Sequence, residues 1–465
     1  MSAEHGAPAR ELTGWGRTAP TSATCTQPSD LTGLLAALGS SGPRGVIARG
    51  LGRSYGDSAQ NAGGLVVGTG RLDRVLGVGD GAPAPGTVTV EAGVSIGHLM
   101  RVLLSRGMFV PVTPGTRQVS VGGAIAADVH GKNHHRDGSI GAHVEAMTIV
   151  LADGSVREVS PAEDEDPELF WGTLGGMGLT GLVVAATLRA LPVHSPWMSV
   201  DTTKVPDLDA MVDTLADADR RQYSVAWLDC MAGGRHAGRG VVTAADHATA
   251  QEAASWGEDL EGWPDTATAP DPDPAPRVGA PSWVPPGLLN RWSIAAFNEA
   301  WYRRAPRHRA AERQSPATFF HPLDGVEGWN RLYGRAGMVQ YQCVVPTADV
   351  VAALLTQLRA AKAPSFLAVL KKFGAANPGP LSFPQPGWTL AVDLPAGLDG
   401  LPSLLDALDD TVAVAGGSVY LAKDSRMRPQ LLPTFYPRID AWHELRDRVD
   451  PDRRWQSDQS RRLSL

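Results

Sequence analysis

Thr113 to His135, TPGTRQVSVGGAIAADVHGKNHH, constrains this chain more than any other stretch. Gly122 and Gly123 precede Ala124, Ile125, Ala126 and Ala127, so a backbone there can come very close to a ligand. Glycine has no Cβ to obstruct the approach, and alanine keeps helix propensity without bulk. The start of this short helix is expected to aim unpaired N–H groups at an anion. His130, Lys132, His134 and His135 follow with donors and positive charge. The combination predicts a site for a large, flat, phosphorylated ligand, with chemistry at its far end.

With 465 residues the chain is too long for one ordinary core, and two domains are expected. A hydrophobic content of 43% with 20% charged residues fits a soluble globular class. The formal charge of −7 gives no general attraction to nucleic acid or anionic lipid, although the local run from Arg303-Arg304 to Arg309 is basic. Cys25, Cys230 and Cys343 match neither a metal spacing nor a disulfide framework, which fits a reducing compartment or buried thiols. The first residues carry no apolar signal core, and no run of about 18 apolar residues occurs. A cytoplasmic or peripheral location without a signal peptide or span is expected, with the periplasmic face left open.

Residues 30–195 alternate short β-rich and helical runs. Val46–Ala48, Leu65–Val67, Thr87–Val90 and Met147–Leu151 read as strands bounded by Gly, Pro or Asp. Ile96–Leu104 and Asp166–Leu174 read as helices, the second with Pro167 in its first turn. Leu182–Leu191 is β-branched enough to be a strand. After Trp197, strands at Tyr223–Leu228, Val339–Pro346, Phe366–Lys371 and Thr389–Leu394 are separated by helices at Ala348–Lys362 and Leu401–Val414. The class is α+β, with an antiparallel sheet covered by helices in the second half. The Pro-, Ala- and Asp-rich stretch 266–286 cannot bury enough apolar surface to fold alone and is expected to be a mobile loop.

Gly176-Met177-Gly178-Leu179-Thr180-Gly181 matches the dinucleotide fingerprint in letters only. That fingerprint needs a strand before it and a helix after, and here the order is reversed. A close-packed helix-to-strand turn is the better reading. The second glycine signature is Arg49-Gly50-Leu51-Gly52-Arg53-Ser54-Tyr55-Gly56-Asp57, after the strand Val46–Ala48. Glycines at alternate positions form a nest of N–H groups suited to a pyrophosphate, to which Arg53 and Ser54 can add donors. Beside Gly115, Ser120, Val121, Gly122 and Gly123, it gives two loops flanking one ligand. HGKNHH lacks a carboxylate or cysteine at ligand spacing, so no metal is expected. His134 and His135 read as exposed, and His130 is the one expected to face a cofactor ring.

These motifs together resemble the vanillyl-alcohol-oxidase-type flavoproteins, with a two-part PCMH-type FAD-binding domain and an intervening substrate cap. The resemblance runs through LTGWGRTAP (12–20), ARGLGRSYGD (48–57), PGTRQVSVGGAIAADVHGKNHH (114–135), GLTG (178–181), FHPLDGVEGWN (320–330), QYQ (340–342), LSFPQPGW (381–388), AKDSR (422–426), YPRID (436–440) and VDPDRRWQSDQSRRL (449–463). It implies an FAD-binding domain at 1–196, a cap at 197–416 and a C-terminal return to the first domain at 417–465. It also implies that Ala48 to Ser58 wraps the FAD pyrophosphate. Gly115, Ser120 to Gly123, Ala127, Asp128, Val129 and His130 would complete the pocket, with Val183 and Tyr420 touching the cofactor. Arg53 stands where many members attach FAD covalently through histidine, so the FAD is expected to be non-covalent.

The same resemblance places Lys132, Gln340, Gln342, Lys371, Phe320 and Ala391 at the substrate. Phe320, Val225 and Ala391 stand where tyrosine, serine and cysteine are frequent, removing two hydroxyls and a thiol. The implied reaction is FAD-dependent oxidation of the 2′-hydroxyl of decaprenylphosphoryl-β-D-ribofuranose to the keto sugar, the first half of an epimerisation supplying arabinose for cell-wall arabinan. An oxidase of free alditols or aldonolactones is the alternative. The implied partners are an NADH-dependent keto-sugar reductase and a membrane surface, since a polyprenyl tail is insoluble; no nucleic acid is expected. Alcohol oxidation needs a base and a cation beside the charge left on the cofactor. Lys423 is the candidate for either, with His130 and Tyr55 positioning the ring and the hydroxyl. A cation about 4 Å from that charge contributes up to roughly 4 kcal/mol at a surface-like dielectric. Lys132 and Lys371 suit a phosphate, and Gln340 and Gln342 suit sugar hydroxyls. Trp283–Leu289 is the expected lipid-side opening.

Overall fold

Short β-branched runs need a neighbour on each edge, and the first half of the chain supplies them in two small sheets. In one, Leu65–Gly68 lies between Thr21–Thr26 and Val46–Arg49, parallel to both, with Ala9–Leu12 antiparallel on the outer edge. The other is antiparallel throughout, in the order Val75–Val78, Thr87–Glu91, Leu182–Arg189, Val144–Val150, Val156–Val159. The helix Ile96–Leu104 is capped by the Ser95 side chain and buries Ile96, Leu99, Met100, Leu103 and Leu104. That i, i+3, i+4 spacing turns one apolar stripe into the core. The structure, a computed structural model, describes residues 9–79, 86–163, 165–258, 260, 263–264, 270–281, 283–284 and 287–465.

The second half builds one eight-stranded sheet. Its order is His308–Gln314, Met198–Val205, Gly240–His247, Tyr223–Leu228, Ala368–Phe373, Gly387–Pro395, Met338–Val345, Ser418–Val419. Every pairing in it is antiparallel. Helices Ala348–Ala360 and Leu401–Val414 pack against one another and against Met338–Val345. They bury leucines from both helices on that side, so alternate residues of the strands are left to face the other way. The strand and helix positions expected from the sequence are met to within a few residues.

Gly176–Gly181 joins the helix Pro167–Thr173 to the strand Leu182–Arg189, as the reversed order predicts. A Cβ on Gly181 would lie 2.6 Å from Ile149 Cγ2 and 2.8 Å from the Val150 carbonyl oxygen. The glycine is therefore a packing requirement of the turn. Of the Pro-rich stretch 266–286, residues 266–269, 282, 285 and 286 lie outside those described. Its described part is held at Asp273, which accepts from Arg117 Nε at 2.5 Å while Arg117 also donates to the Pro274 carbonyl at 2.6 Å. Val278–Gly279 pairs in parallel with Val326–Glu327.

The C-terminus returns to the first glycine loop. Tyr55 N–H donates to the Ala422 carbonyl at 3.0 Å. Arg462 bonds Asp57 and Asp424 together, at 2.8 and 2.9 Å. A Cβ on Gly56 would sit 1.9 Å from the Asp424 carbonyl oxygen. Gly56→Ala must push these two segments apart, and overpacking of this kind costs roughly 1–3 kcal/mol. The expected result is a lower melting temperature, read by calorimetry, with weaker retention of any ligand held by the 50–54 loop.

Candidate active site

The inward face of the large sheet fixes most of the site through its period of two. Gln340 pairs with Asp393, Gln342 with Ala391, Val369 with Ala391 and Lys371 with Thr389. Trp227 pairs with Val369 and with Val241, and Val225 with Thr243. All these side chains share one face. With the exception of Asp393 they line a single cavity of about 1150 Å³, whose opposite wall is built by the two glycine loops.

The two loops differ in what they can offer an anion. In the helix Val121–Ala126 the first N–H groups are already taken. Val121 donates to the Val94 carbonyl and Gly122 to the Ala92 carbonyl, each at 2.8 Å, and Gly123 donates to the Ser120 hydroxyl at 3.3 Å. The expectation that this helix start presents unpaired N–H groups to an anion is therefore corrected: the 92–94 segment packs across it and consumes them. The N–H groups of Gly50, Leu51, Gly52, Arg53 and Ser54, by contrast, have no protein acceptor among the described residues. All five residues line the cavity. Gly52, at φ 66°, turns the chain in a way that a side chain would resist. A Cβ on Gly50 would meet the Ser120 hydroxyl at 2.1 Å, so glycine here is what lets the two loops touch.

Three lysines enter from different elements: Lys132 from the loop after Val129, Lys371 from a sheet strand and Lys423 from the C-terminal return. They are half-buried, and all three line the cavity. Burial, reinforced by Lys371, lowers the Lys132 ammonium to about 7, and burial lowers Lys371 to about 8. Lys132 donates to the Phe319 carbonyl and lies 4.0 Å from that ring's centroid. Lys371 Nζ donates to the Gly131 carbonyl at 3.4 Å. Lys423 Nζ lies 3.9 Å from the centroid of the Tyr55 ring. Burial pulls the Lys423 proton off more easily, Asp393 opposes that, and Lys371 adds to it.

His130 is buried among Phe373, Phe383 and Tyr420. Its Nε2 meets the Gln342 amide nitrogen at 2.9 Å and so accepts, which leaves Nδ1 carrying the proton. Nδ1 has no partner among the described residues. Burial, then the charge of Lys371, holds the imidazole well below its usual range, so it is neutral. His134 and His135 are not the exposed pair expected. His134 is buried against Phe373 and accepts from Gly374 N–H, with burial lowering it to about 3. The His135 ring bonds the Arg221 carbonyl at 3.0 Å.

Of the residues singled out from the sequence, Ala48 to Gly56 and Ser58 line the cavity, as do Gly115, Ser120, Gly122, Gly123, Ala127, Val129, His130, Val183 and Tyr420. So do Lys132, Phe320, Gln340, Gln342, Lys371, Ala391 and Lys423. Three lie off the wall. Asp57 is held by Arg462, and Val121 is packed in the core. Asp128 accepts from Ser139, Gly141 N–H, Asn377 and Ser382 in a closed polar cluster. Arg53 donates Nε to the Gln118 carbonyl at 3.1 Å and stacks 4.1 Å above Trp15. Tyr420 donates its hydroxyl to the Ala127 carbonyl at 2.7 Å and stacks on Phe383, fixing the end of the short helix.

Sequence reading missed Asp393. It is fully buried, Oδ1 accepts from Gln340, and Oδ2 has no partner among the described residues. Burial raises its carboxyl, and Gln340 and Lys423 act against that rise. The signal was available: Thr389, Ala391 and Asp393 alternate along one strand, so a strand that places Ala391 at the site must place Asp393 on the same face.

Residues 23–160 match a family model described as an FAD binding domain. The chain is 42% identical over 463 residues to decaprenylphosphoryl-β-D-ribose oxidase of Mycolicibacterium smegmatis, covering 98% of each protein. It is 39% identical over 384 residues to an uncharacterized protein in the mprA 5′ region of Streptomyces coelicolor, covering 80% of this chain and 100% of that one. D-Arabinono-1,4-lactone oxidase of Yarrowia lipolytica is 35% identical over 108 residues, 23% of this chain and 20% of that protein.

The lysines are expected to bind an anion apart from any reaction. Lys132 and Lys371 carry charge below about 7 and 8 and lose it above, so anion stabilisation is full in mild acid and fades as pH rises through those values. Inorganic phosphate at about a hundred times its Kd is expected to stabilise the fold by about 2.7 kcal/mol. The shift in melting temperature should shrink towards pH 9, and Lys132→Met/Lys371→Met should reduce it to what the 50–54 loop alone contributes.

Proposed function

The chain belongs to the decaprenylphosphoryl-β-D-ribose oxidase family and carries an FAD-binding domain, and we propose that it oxidises the 2′-hydroxyl of a polyprenylphosphoryl ribofuranose to the 2′-keto sugar. The observation that carries this reading is the meeting of Lys132, Lys371 and Lys423 in one cavity with the free N–H groups of Gly50 to Ser54. Two separate anions are provided for. The residues fit FAD: the 50–54 nest accepts a pyrophosphate, and the glycines between the loops leave room for its close approach. Lys132 and Lys371 then serve the phosphodiester of the substrate. A neutral alditol or lactone would leave those cations without a partner, which weighs against the alternative.

FAD, when bound, supplies the acceptor for the hydride leaving the carbinol carbon. Lys423 takes the hydroxyl proton. Burial keeps its amine available as a base, and Asp393 and the Tyr55 ring stabilise the ammonium that results. One side chain thus serves first as base and then as cation. Tyr55 stays a neutral phenol, since burial raises it well above its usual value. His130 stays neutral, with Nε2 held by Gln342, and keeps its ring fixed at the cavity wall. Gln340 is tied to Asp393, so it links sugar recognition to the lysine's partner.

Arg53 carries no nucleophile for attachment, and His130 is the sole imidazole, with no thiol, among the lining residues. FAD is therefore non-covalent in this reading. A keto sugar on a lipid carrier calls for a second enzyme, an NADH-dependent reductase, to complete a 2′-epimerisation to the arabinose donor for cell-wall arabinan. The substrate's tail calls for peripheral contact with a membrane. Among the described residues no helix is long and apolar enough to cross one.

Anaerobic mixing with polyprenylphosphoryl ribose should bleach the flavin absorbance, and free alditols and aldonolactones should not; the opposite pattern overturns the proposal. Lys423→Ala should keep its FAD and slow that bleaching by roughly 10²–10⁴-fold. Full activity in this variant would remove Lys423 from the mechanism. Acid precipitation of the purified protein should leave the flavin in the supernatant, and flavin in the pellet contradicts non-covalent binding.

A further inference from the structure

We propose that the exposed aromatic and arginine side chains of the helix Arg291–Arg304, together with Trp283 and Leu288 before it, dock on an anionic bilayer and present the cavity mouth to it. This rests on the polyprenyl substrate proposed above and names the surface through which that substrate is reached. Of the eleven large apolar side chains exposed among the described residues, six fall between 278 and 301. Trp292 is 73% exposed, Trp283 68%, Leu288 49%, Trp301 48% and Phe297 46%. Phe297 and Trp301 stack on each other at 6.1 Å and leave their outer surfaces open. Trp283, Leu288 and Trp292 are exposed on the same segment, and so many exposed apolar side chains within about twenty residues mark an interaction surface, for which tryptophan suits the boundary between headgroups and acyl chains.

Charge selects the partner. Residues 287–309 hold five arginines and one glutamate in a chain whose net charge is −7. That glutamate, Glu299, is already bonded to Arg239 and Arg303. Arg291, Arg304 and Arg307 are exposed and form no ion pair among the described residues. Unpaired arginines interspersed with exposed tryptophans complement lipid phosphates. The patch is also continuous with the site, because Phe297, Trp301 and Arg304 line the cavity. A lipid-linked sugar can therefore enter headgroup first while its chain stays in the bilayer.

The test uses the full-length, FAD-loaded protein and sedimentation with vesicles. Vesicles of equal parts phosphatidylcholine and phosphatidylglycerol should carry the protein down, phosphatidylcholine alone should do so far less, and added salt should release it. Trp283→Ser/Trp292→Ser and Arg291→Glu/Arg307→Glu alter residues outside the cavity wall. Each should lose at least tenfold in vesicle affinity while keeping its FAD and its turnover of a short-chain substrate analogue. Wild-type protein that ignores anionic vesicles, or variants that bind them as well as wild type, overturns the proposal. So does a wild-type dimer without vesicles that the tryptophan variant makes monomeric, since the patch would then be an interface between copies. Flavin bleaching by polyprenylphosphoryl ribose is read on the same preparation. Vesicle binding without bleaching leaves this surface standing and removes the proposed reaction; bleaching without vesicle binding does the reverse.

Discussion

Lys132, Lys371 and Lys423 are held largely out of water around one cavity, and Lys371 pushes the protons of the other two towards release. Charge in such a place is costly unless something negative comes with it. The described protein supplies little: Asp393 acts on Lys423, while Lys132 and Lys371 rely on backbone carbonyls and aromatic rings. In the proposed reading an anion completes the site. Its register, its neutral histidine and its buried tyrosine follow from the same exclusion of water, because each must be satisfied by the sheet or left to a ligand.

The division of labour between the two loops follows from hydrogen-bond accounting. The small-residue helix looks like the anion cradle, but its N–H groups are spent on the 92–94 segment and on its own cap. Its small residues serve close packing: a Cβ on Gly122 would lie 2.8 Å from Ala92 Cβ. The 50–54 loop, with no regular structure to use its N–H groups, keeps them for a ligand. The C-terminal return through Tyr55, Gly56 and Arg462 then holds that loop in place and brings Lys423 over Tyr55.

Much of this was legible in the residues. Ile96–Leu104, Tyr223–Leu228 and Leu401–Val414 have the limits that their periodicity gives, because each has one face in the core. His308–Gln314, HRAAERQ, carried no such pattern; it is an edge strand with mostly exposed side chains, and nothing in its sequence alternates. The helix Arg291–Arg304 was equally hidden, since most of its aromatic residues face outward and so break the amphipathic rule. The site residues on loops came from glycine spacing and family resemblance. Asp393 was within reach of the alternation Thr389, Ala391, Asp393 along one strand, whereas the buried state of His134 came only with Phe373, a contact distant in sequence that no local pattern encodes.

A crystal structure of the FAD complex with a phosphoribosyl lipid analogue would show directly whether one cavity holds two anions on different walls. The FAD pyrophosphate is expected on the N–H groups of Gly50 to Ser54, the analogue's phosphate between Lys132 and Lys371, and its 2′-hydroxyl at Lys423. A pyrophosphate seated on the start of the Val121–Ala126 helix, or a sugar phosphate away from the two lysines, would contradict this placement.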